Sequence, residues 1–507
     1  MVYTINKKKI AKNTIALYVR MGITMVISFF TARITLEQLG VSDYGLNNLV
    51  GSIVSMLTFL NGSMGTAVQR YYSYELGKGN SRGLKKIFSV GLTLHALVAV
   101  VTLVAAELFA IFFLVRMNIP IERQFAAKVV FQISIFSLII NIINVPYAAL
   151  LRSREMFSQV AIVEIIQSVL RLIVLYLLVI LEYDKLVTLS LLNFVITIYY
   201  ICAITILARK FEETHAYPSW DKKLVNKMLS FISILIVTVL ANLLQIQGVA
   251  FLINLFFTLA INAAYGIAVQ VFNLVNNFVS SFKVAVVPQM MSSYGSGDLK
   301  NMHNLIDMGT KISFILLMLV TMPVVFEINF LLKLWLGTPP QYTAEFIILT
   351  LVYLNISSFT YFHYQGVHAT GYIMQQQLLM SLLYILNVIF VYISFKIGYS
   401  FFFELYINIF FAVLQCIINL YCAKRKYNYN ITTFVKSLMI PCILSVTIIC
   451  LLLMLIKYLI QSYIEQFVIV VLASVFLTVI LSYKLILNAS ERKKCVSIIS
   501  HRILKTK

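Results

Sequence analysis

The stretch Gln159–Ala208, QVAIVEIIQSVLRLIVLYLLVILEYDKLVTLSLLNFVITIYYICAITILA, decides the fold. Two apolar runs, near 159–181 and 187–208, flank a short connection, Leu181–Lys185, that carries Glu182, Asp184 and Lys185. A helix needs about 20 mostly apolar residues to cross a bilayer, so each run is long enough to span one. The short connection makes the two helices antiparallel neighbours.

The same pattern recurs along the chain. Fourteen spans are predicted, near 14–36, 45–66, 88–115, 126–150, 159–181, 187–208, 229–252, 258–282, 306–332, 343–366, 377–397, 401–422, 434–456 and 466–486. The composition agrees: 61% of the 507 residues are apolar and only 12% are charged, with a mean hydropathy of +0.91. A soluble protein is about half apolar and about a quarter charged, so a soluble enzyme and a disordered chain are both excluded.

There are 40 Lys and Arg against 19 Asp and Glu, a net charge of +21. Sorted by loop, thirty of the forty basic residues fall on one side of the predicted spans and seven on the other. Basic loops stay in the cytoplasm, which predicts both termini there. The excess is then mainly a topology signal that requires no nucleic acid, with anionic lipid headgroups set against it. Lys7-Lys8-Lys9 before an apolar run has the look of a signal peptide. Without a small-residue cleavage site, and with Arg20 and Arg33 inside it, the run reads as a retained helix.

Recurring marks suggest two similar halves. Asp43-Tyr44-Gly45-Leu46-Asn47 corresponds to Ala264-Tyr265-Gly266-Ile267-Ala268, and Tyr74 through Gly79 to Tyr294-Gly295-Ser296-Gly297. A repeat of about 220 residues covers six spans and predicts an all-α, polytopic membrane protein of two six-helix lobes plus two C-terminal helices. The predicted divisions are 1–210, 211–425 and 426–507, the last including a basic tail.

Polar residues in hydrocarbon are costly and face a cavity or a partner helix. Asn47, Gly51, Ser55, Thr58 and Gly62 share one helical face of the second span, and Gly266, Gln270, Asn273, Asn277 and Ser280 share one of the eighth. Thr238, Asn242 and Gln245 do the same in the seventh. Small and amide residues also pack helices together, so these stripes read either as cavity lining or as helix contact. Arg20 and Arg171 lie inside spans, and Arg70 ends one. Arginine is permanently charged, with a fork of donors suited to phosphate. Two alternatives stand beside an anion site: Arg33 paired with Glu37, and Arg171 in ion contact with Glu164, seven residues away on the same face.

Glu107 and Glu164 are the deep carboxylates, and either could couple transport to an ion gradient. Paired carboxylates for acid–base work, P-loop, GxSxG and HExxH patterns and Cys/His ligand spacings do not occur. Neither an enzyme, a metal site nor a cofactor is expected. His363 and His368 read as surface residues at a span exit, and Gly77-Lys78-Gly79 as a flexible turn.

In these residues the chain resembles the polysaccharide-biosynthesis (Wzx-type) flippases of the multidrug/oligosaccharidyl-lipid/polysaccharide exporter superfamily. The resemblance rests on Lys12-Asn13-Thr14 leading to Arg20, Leu39 through Gly45, Val68-Gln69-Arg70 and Glu75 through Asn80. In the second half it rests on Asn262 through Ala268, Pro288-Gln289, Leu334-Trp335-Leu336-Gly337 and Ala369-Thr370-Gly371. It covers about residues 10–380. It implies a central cavity and movement of an undecaprenyl-pyrophosphate-linked oligosaccharide from the inner to the outer leaflet of the bacterial cytoplasmic membrane, for O-antigen or capsule synthesis. It also implies diphosphate binding by Arg20, and less directly by Arg33 and Arg70. The expected state is a monomer, associated with polysaccharide polymerase machinery. The alternatives are a cation-coupled drug antiporter of the same superfamily, which calls for a carboxylate-lined cavity, and a membrane enzyme, which calls for large outer loops.

Overall fold

The computed structural model describes residues 7–113, 121–181, 183–215, 217–257, 259–336, 339–460, 463–489 and 491–492. Several side chains inside helices, including those of Arg33, Ser55 and Thr58, lie outside that description, as do the tail cations Lys493, Lys494, Arg502, Lys505 and Lys507. Among the described residues every regular element is helical. Among the described residues, twelve helices are long and apolar enough to cross a membrane. The first two of the fourteen predicted spans fall together in one kinked helix that is not among those twelve.

That helix is α1 (Lys7–Lys78), 72 residues long. Its length of roughly 110 Å at 1.5 Å per residue far exceeds a bilayer. At Gly40 the backbone turns to φ +72°, ψ 172° and interrupts it. Glycine reaches this conformation without a Cβ clash, and the predicted spans 14–36 and 45–66 lie on either side of the break.

The chain forms two compact units. The first holds Met1–Val239 and Val284–Asp298, and with them α1, α2 (Ser81–Phe113), α3 (Gln124–Ser153), α4 (Phe157–Ile180) and α5 (Lys185–Ala208). The opening stretch is thus α4 and α5. Asp184 caps α5, accepting from the backbone N–H groups of Leu186 and Val187 at 3.1 Å each, as a short polar side chain at a helix start does. Arg123 ion-pairs with both Asp184 and Asp43. Large apolar side chains of α4 and α5, among them Ile162, Ile173, Leu191 and Val195, are exposed. An apolar surface of this extent suits lipid rather than water.

The two largest apolar clusters of this unit lie one after the other along α3. One gathers Leu39, Val50, Phe131, Leu178 and Leu186, and the other Val68, Tyr72, Phe88, Leu150 and Met228. Along α3 the first ends at Ile139 and the second begins at Tyr147. Between them lie the polar residues Asn141 and Asn144, with Ile142 held in a smaller apolar cluster beside Ala99 and Leu138.

Two helices run through both units, α6 (Lys222–Phe256) and α7 (Leu259–Gly295). The start of α6 is fixed by Asp221, which lies 2.5 Å from Lys86 Nζ and accepts the N–H of Leu224 at 2.8 Å. The hydrogen bond from Lys86, followed by that from Leu224, holds the Asp221 carboxyl below the usual carboxylate range. A carboxylate depressed in the folded state adds stability above its unfolded pKa of about 3.9 and loses it as pH falls through the folded value. Acidification below about pH 4 is therefore expected to loosen the start of α6. Hydrogen exchange at Leu224 should rise there in the wild type, and Asp221→Asn should flatten that pH dependence.

The end of α7 lies against the end of α1 within the first unit. A Cβ on Gly77 would stand 2.0 Å from the Ser292 carbonyl oxygen, and one on Gly295 would stand 2.2 Å from that of Tyr74. Shifting Tyr74 and Gly77 by 218 residues gives Ser292 and Gly295, so the crossing is reciprocal, with an offset two residues short of the one that pairs Tyr74 with Tyr294. Gly77 is thus a tightly packed helix residue, not part of a flexible turn. The turn lies further on, at Gly79 with φ +67°.

The second unit holds Leu240–Lys283 and Leu299–Lys507. It contains α8 (Leu299–Phe326), α9 (Ile328–Leu336), α10 (Thr343–Ser358), α11 (Tyr361–Thr370), α12 (Met374–Ile397), α13 (Phe402–Tyr427), α14 (Ile431–Phe434), α15 (Ile440–Leu459) and α16 (Tyr463–Leu481). His363 and His368, expected at the surface, are both buried. The ring of His363 lies 4.6 Å from those of Tyr429 and Phe434, and His368 Nε2 is 2.7 Å from Gln377 Nε2. Their helix α11 packs against α8 and α13, which the sequence around a span end does not reveal.

Candidate functional site

Within the first unit, α1, α3 and α5 line an open-sided cavity of about 550 Å³. Its walls follow from helical spacing. Ser134, Ser137, Asn141 and Asn144 recur at three or four residues along α3, as do Ser190, Asn193, Thr197 and Tyr200 along α5. Each set therefore occupies one face, in helices that are otherwise mostly apolar. From α1, Asn47, Gly51, Gly62 and Gly65 complete the wall.

Many of these side chains satisfy their donors internally. Ser134 donates to the Val130 carbonyl at 2.7 Å, Ser137 to Ile133 at 2.9 Å and Asn141 to Ser137 at 2.8 Å. Ser190 donates to Leu186 at 3.1 Å, Thr197 to Asn193 at 3.0 Å and Asn144 to Ile201 at 3.2 Å. A hydroxyl whose O–H is so used keeps its oxygen lone pairs, and an amide keeps its oxygen and a second N–H. The cavity accordingly presents hydroxyl and amide oxygens together with the amide, tyrosine and arginine donors that remain, a mixture that suits a polyhydroxylated ligand. No carboxylate stands among its described lining residues.

The residues singled out from the sequence have varied places. Asn47 lines this cavity. Arg20 forms an ion pair with Glu164 of α4, so Glu164 meets a cation of α1. Arg171, seven residues along, is exposed on α4. Arg70 is buried, with its guanidinium 4.6 Å from the Tyr71 ring centre and 5.6 Å from that of Phe231. Glu107 accepts from Gln132 at 3.2 Å. The Arg33 side chain lies outside the described residues.

The second-half candidates belong to the second unit. Gln270, Asn273 and Asn277 lie exposed along one face of α7, and Asn242 is half-buried in α6. Gln245 is buried and donates to Asn408 Oδ1 at 3.3 Å, where Asn387 donates at 2.8 Å. Asn408 in turn donates to the fully buried Glu404. Gln245 is thus part of a buried amide–carboxylate cluster of the second unit.

Sequence reasoning passed over the α3 and α5 stripes. The spacing that marked the second span was present in both, and the same test would have found them. Arg152, also at the cavity, was counted only as a loop charge.

Residues 17–177 match the MatE family. No curated protein matches the sequence. Several solved structures share the fold. A MATE protein in the bent conformation aligns with a TM-score of 0.73 at 12% identity, covering 83% of this chain and 97% of its own. An outward-facing multidrug resistance MATE family transporter of the MOP superfamily gives 0.65 at 13%, covering 85% and 96%. A MOP superfamily transporter from Pyrococcus furiosus, described as having a binding pocket of reversed polarity that suggests a different function, gives 0.64 at 13%, covering 83% and 94%. At these identities the likeness establishes the fold: this chain is a multi-pass membrane protein built on the fold of the MATE transporters.

Proposed function

We propose that the protein is an alternating-access flippase. It would carry an undecaprenyl-pyrophosphate-linked oligosaccharide from the inner to the outer leaflet of the bacterial cytoplasmic membrane, for O-antigen or capsule synthesis. No covalent bond is made or broken in this reading. The observation that carries it is the cavity of α1, α3 and α5, whose uncharged hydroxyl and amide groups suit sugar hydroxyls. The sequence resemblance to Wzx-type flippases supplies the substrate class. Two polar pairs, Arg20–Glu164 and Glu107–Gln132, are the candidates for coupling to an ion gradient.

A cation-coupled drug antiporter is the second reading, favoured by the fold shared with a multidrug resistance transporter. A cationic drug calls for a carboxylate in its site, since an unpaired charge in a low-dielectric pocket is costly. The described lining supplies amides, hydroxyls and one arginine, which speaks for the glycan.

Filling the cavity tests the proposal. Asn141→Leu and Asn193→Leu each remove a polar contact and add apolar bulk. Loss of about 1.4 kcal/mol of substrate interaction is tenfold in binding, so each is expected to lower glycan export at least tenfold in a complementation assay at equal membrane abundance. Unchanged export with unchanged abundance in both variants would refute the cavity's role. Gene-dependent growth in toxic cations would favour the antiporter.

A further inference from the structure

We infer that Arg152 is the anchor for the anionic end of the cavity's ligand, so that a neutral polyhydroxylated body lies along α3 and α5 and a phosphate group meets the guanidinium at the α3 terminus. This assignment rests on the glycan reading of the cavity. Arg152 is the charged side chain among the cavity's described lining residues. Its side chain is exposed, and no carboxylate lies within salt-bridge distance among the described residues. Two other arginines of the unit are already engaged. Arg20 is paired with Glu164, and Arg154 binds Glu213 at 2.5 and 3.0 Å. A phosphate at either of those would have to displace a carboxylate, whereas at Arg152 it would meet an available planar fork of donors.

The backbone that carries Arg152 is held in place. After α3 the chain turns through Glu155, a non-glycine residue at φ 60°. The N–H of Glu155 donates to the Arg152 carbonyl at 3.0 Å, and that of Met156 to Leu151 at 2.9 Å. Asn13 of α1 donates to the Glu155 carbonyl at 3.0 Å, and Gln289 donates to the buried Glu155 carboxylate at 2.8 Å. Such a turn fixes the base of the arginine before any ligand arrives, which reduces the ordering cost of binding. The Asn13 contact also sets this turn beside the first turns of α1. If that end faces the cytoplasm, as the basic loops predict, the phosphate would sit at the inner headgroup level while the sugars occupy the cavity.

The test uses the full-length protein in nanodiscs, with affinity read by a thermal-shift or fluorescence titration. Three probes separate the contributions: a short glycan on undecaprenyl diphosphate, the same glycan ether-linked to undecaprenol without phosphate, and inorganic pyrophosphate. Arg152→Gln should weaken the diphosphate-linked glycan at least tenfold and leave the phosphate-free glycan unchanged. Arg152→Lys, which keeps the charge but loses the fork, should fall between. Arg209→Gln, an exposed cation at the end of α5, controls for general surface charge and should have no effect. Equal losses for Arg152→Gln and Arg209→Gln, or equal weakening of both glycans by Arg152→Gln, would overturn the assignment. Asn141→Leu should weaken both glycans. If it weakens neither, the glycan reading fails whatever Arg152 does. Pyrophosphate binding as tight as that of the lipid-linked glycan would also overturn the proposal, by making Arg152 a site for the free anion.

Discussion

Gly77→Ala is expected to open the crossing between the ends of α1 and α7 and to destabilise the protein by about 1–3 kcal/mol or more, the range for overpacked sites. The added Cβ would lie 2.0 Å from the Ser292 carbonyl oxygen. That atom is backbone, so no side-chain rotation relieves the overlap and one helix end must move. Gly295→Ala should behave alike, since its Cβ would meet the Tyr74 carbonyl oxygen at 2.2 Å. The two costs should not add. Once either alanine has pushed the helices apart, the other meets less resistance, and neighbouring sites that share a backbone shift couple by about 0.5–3 kcal/mol. Unfolding in detergent of the two single variants and the double variant measures this. Single costs under about 0.5 kcal/mol, summing without coupling, would show that the crossing is looser than described.

The second large effect is expected at Lys311, whose side chain is 3% exposed within the membrane-spanning helix α8. Its ammonium lies 2.9 and 3.2 Å from the two carboxylate oxygens of Glu491, beyond the last spanning helix. Glu491 also accepts the N–H of Asn488 at 2.7 Å. Glu491→Gln would leave the buried cation with only the less direct counter-charge of Asp307, one helical turn away. Breaking a buried pair from one side costs about 3–5 kcal/mol. The lower end applies here, because Glu491 is 26% exposed. Replacing both partners, Lys311→Met with Glu491→Gln, removes the stranded charge and should recover most of the loss. A double variant as unstable as Glu491→Gln alone would mean that the pair matters for something other than charge.

Much of the architecture could be read from hydropathy because a bilayer imposes a length on every apolar run. The connection Leu181–Lys185 was visible as a turn, and Asp184 stood where a helix cap belongs. Gly40 lay between the first two predicted spans and became the break in α1. The repeat was visible only as scattered Tyr and Gly residues, yet those residues include Tyr74, Gly77 and Gly295 of the reciprocal crossing. What could not be read was partner choice. Glu164 and Arg171 share a face of α4 by spacing, but which cation reaches Glu164 depends on the packing of α1, and the answer is Arg20. His363 and His368 looked like surface residues because a span end gives no sign of the helices that cover it. Gln245 read as part of a stripe, whereas its buried partners Asn408 and Glu404 lie some 160 residues away in sequence. Arg152 was indistinguishable from the other loop cations until α3 and α5 were seen to line a cavity beside it.

The most direct measurement is leaflet translocation by the purified protein in liposomes. Undecaprenyl-pyrophosphate-linked oligosaccharide is placed in both leaflets, and the fraction accessible to an external glycan-modifying enzyme is followed over time. The predicted result is that wild-type protein makes the inner-leaflet pool accessible, while Asn141→Leu protein, inserted at equal density, leaves it protected. A pool that stays protected with wild-type protein under proton and sodium gradients of either direction, together with uptake of a cationic drug by the same vesicles, would contradict it.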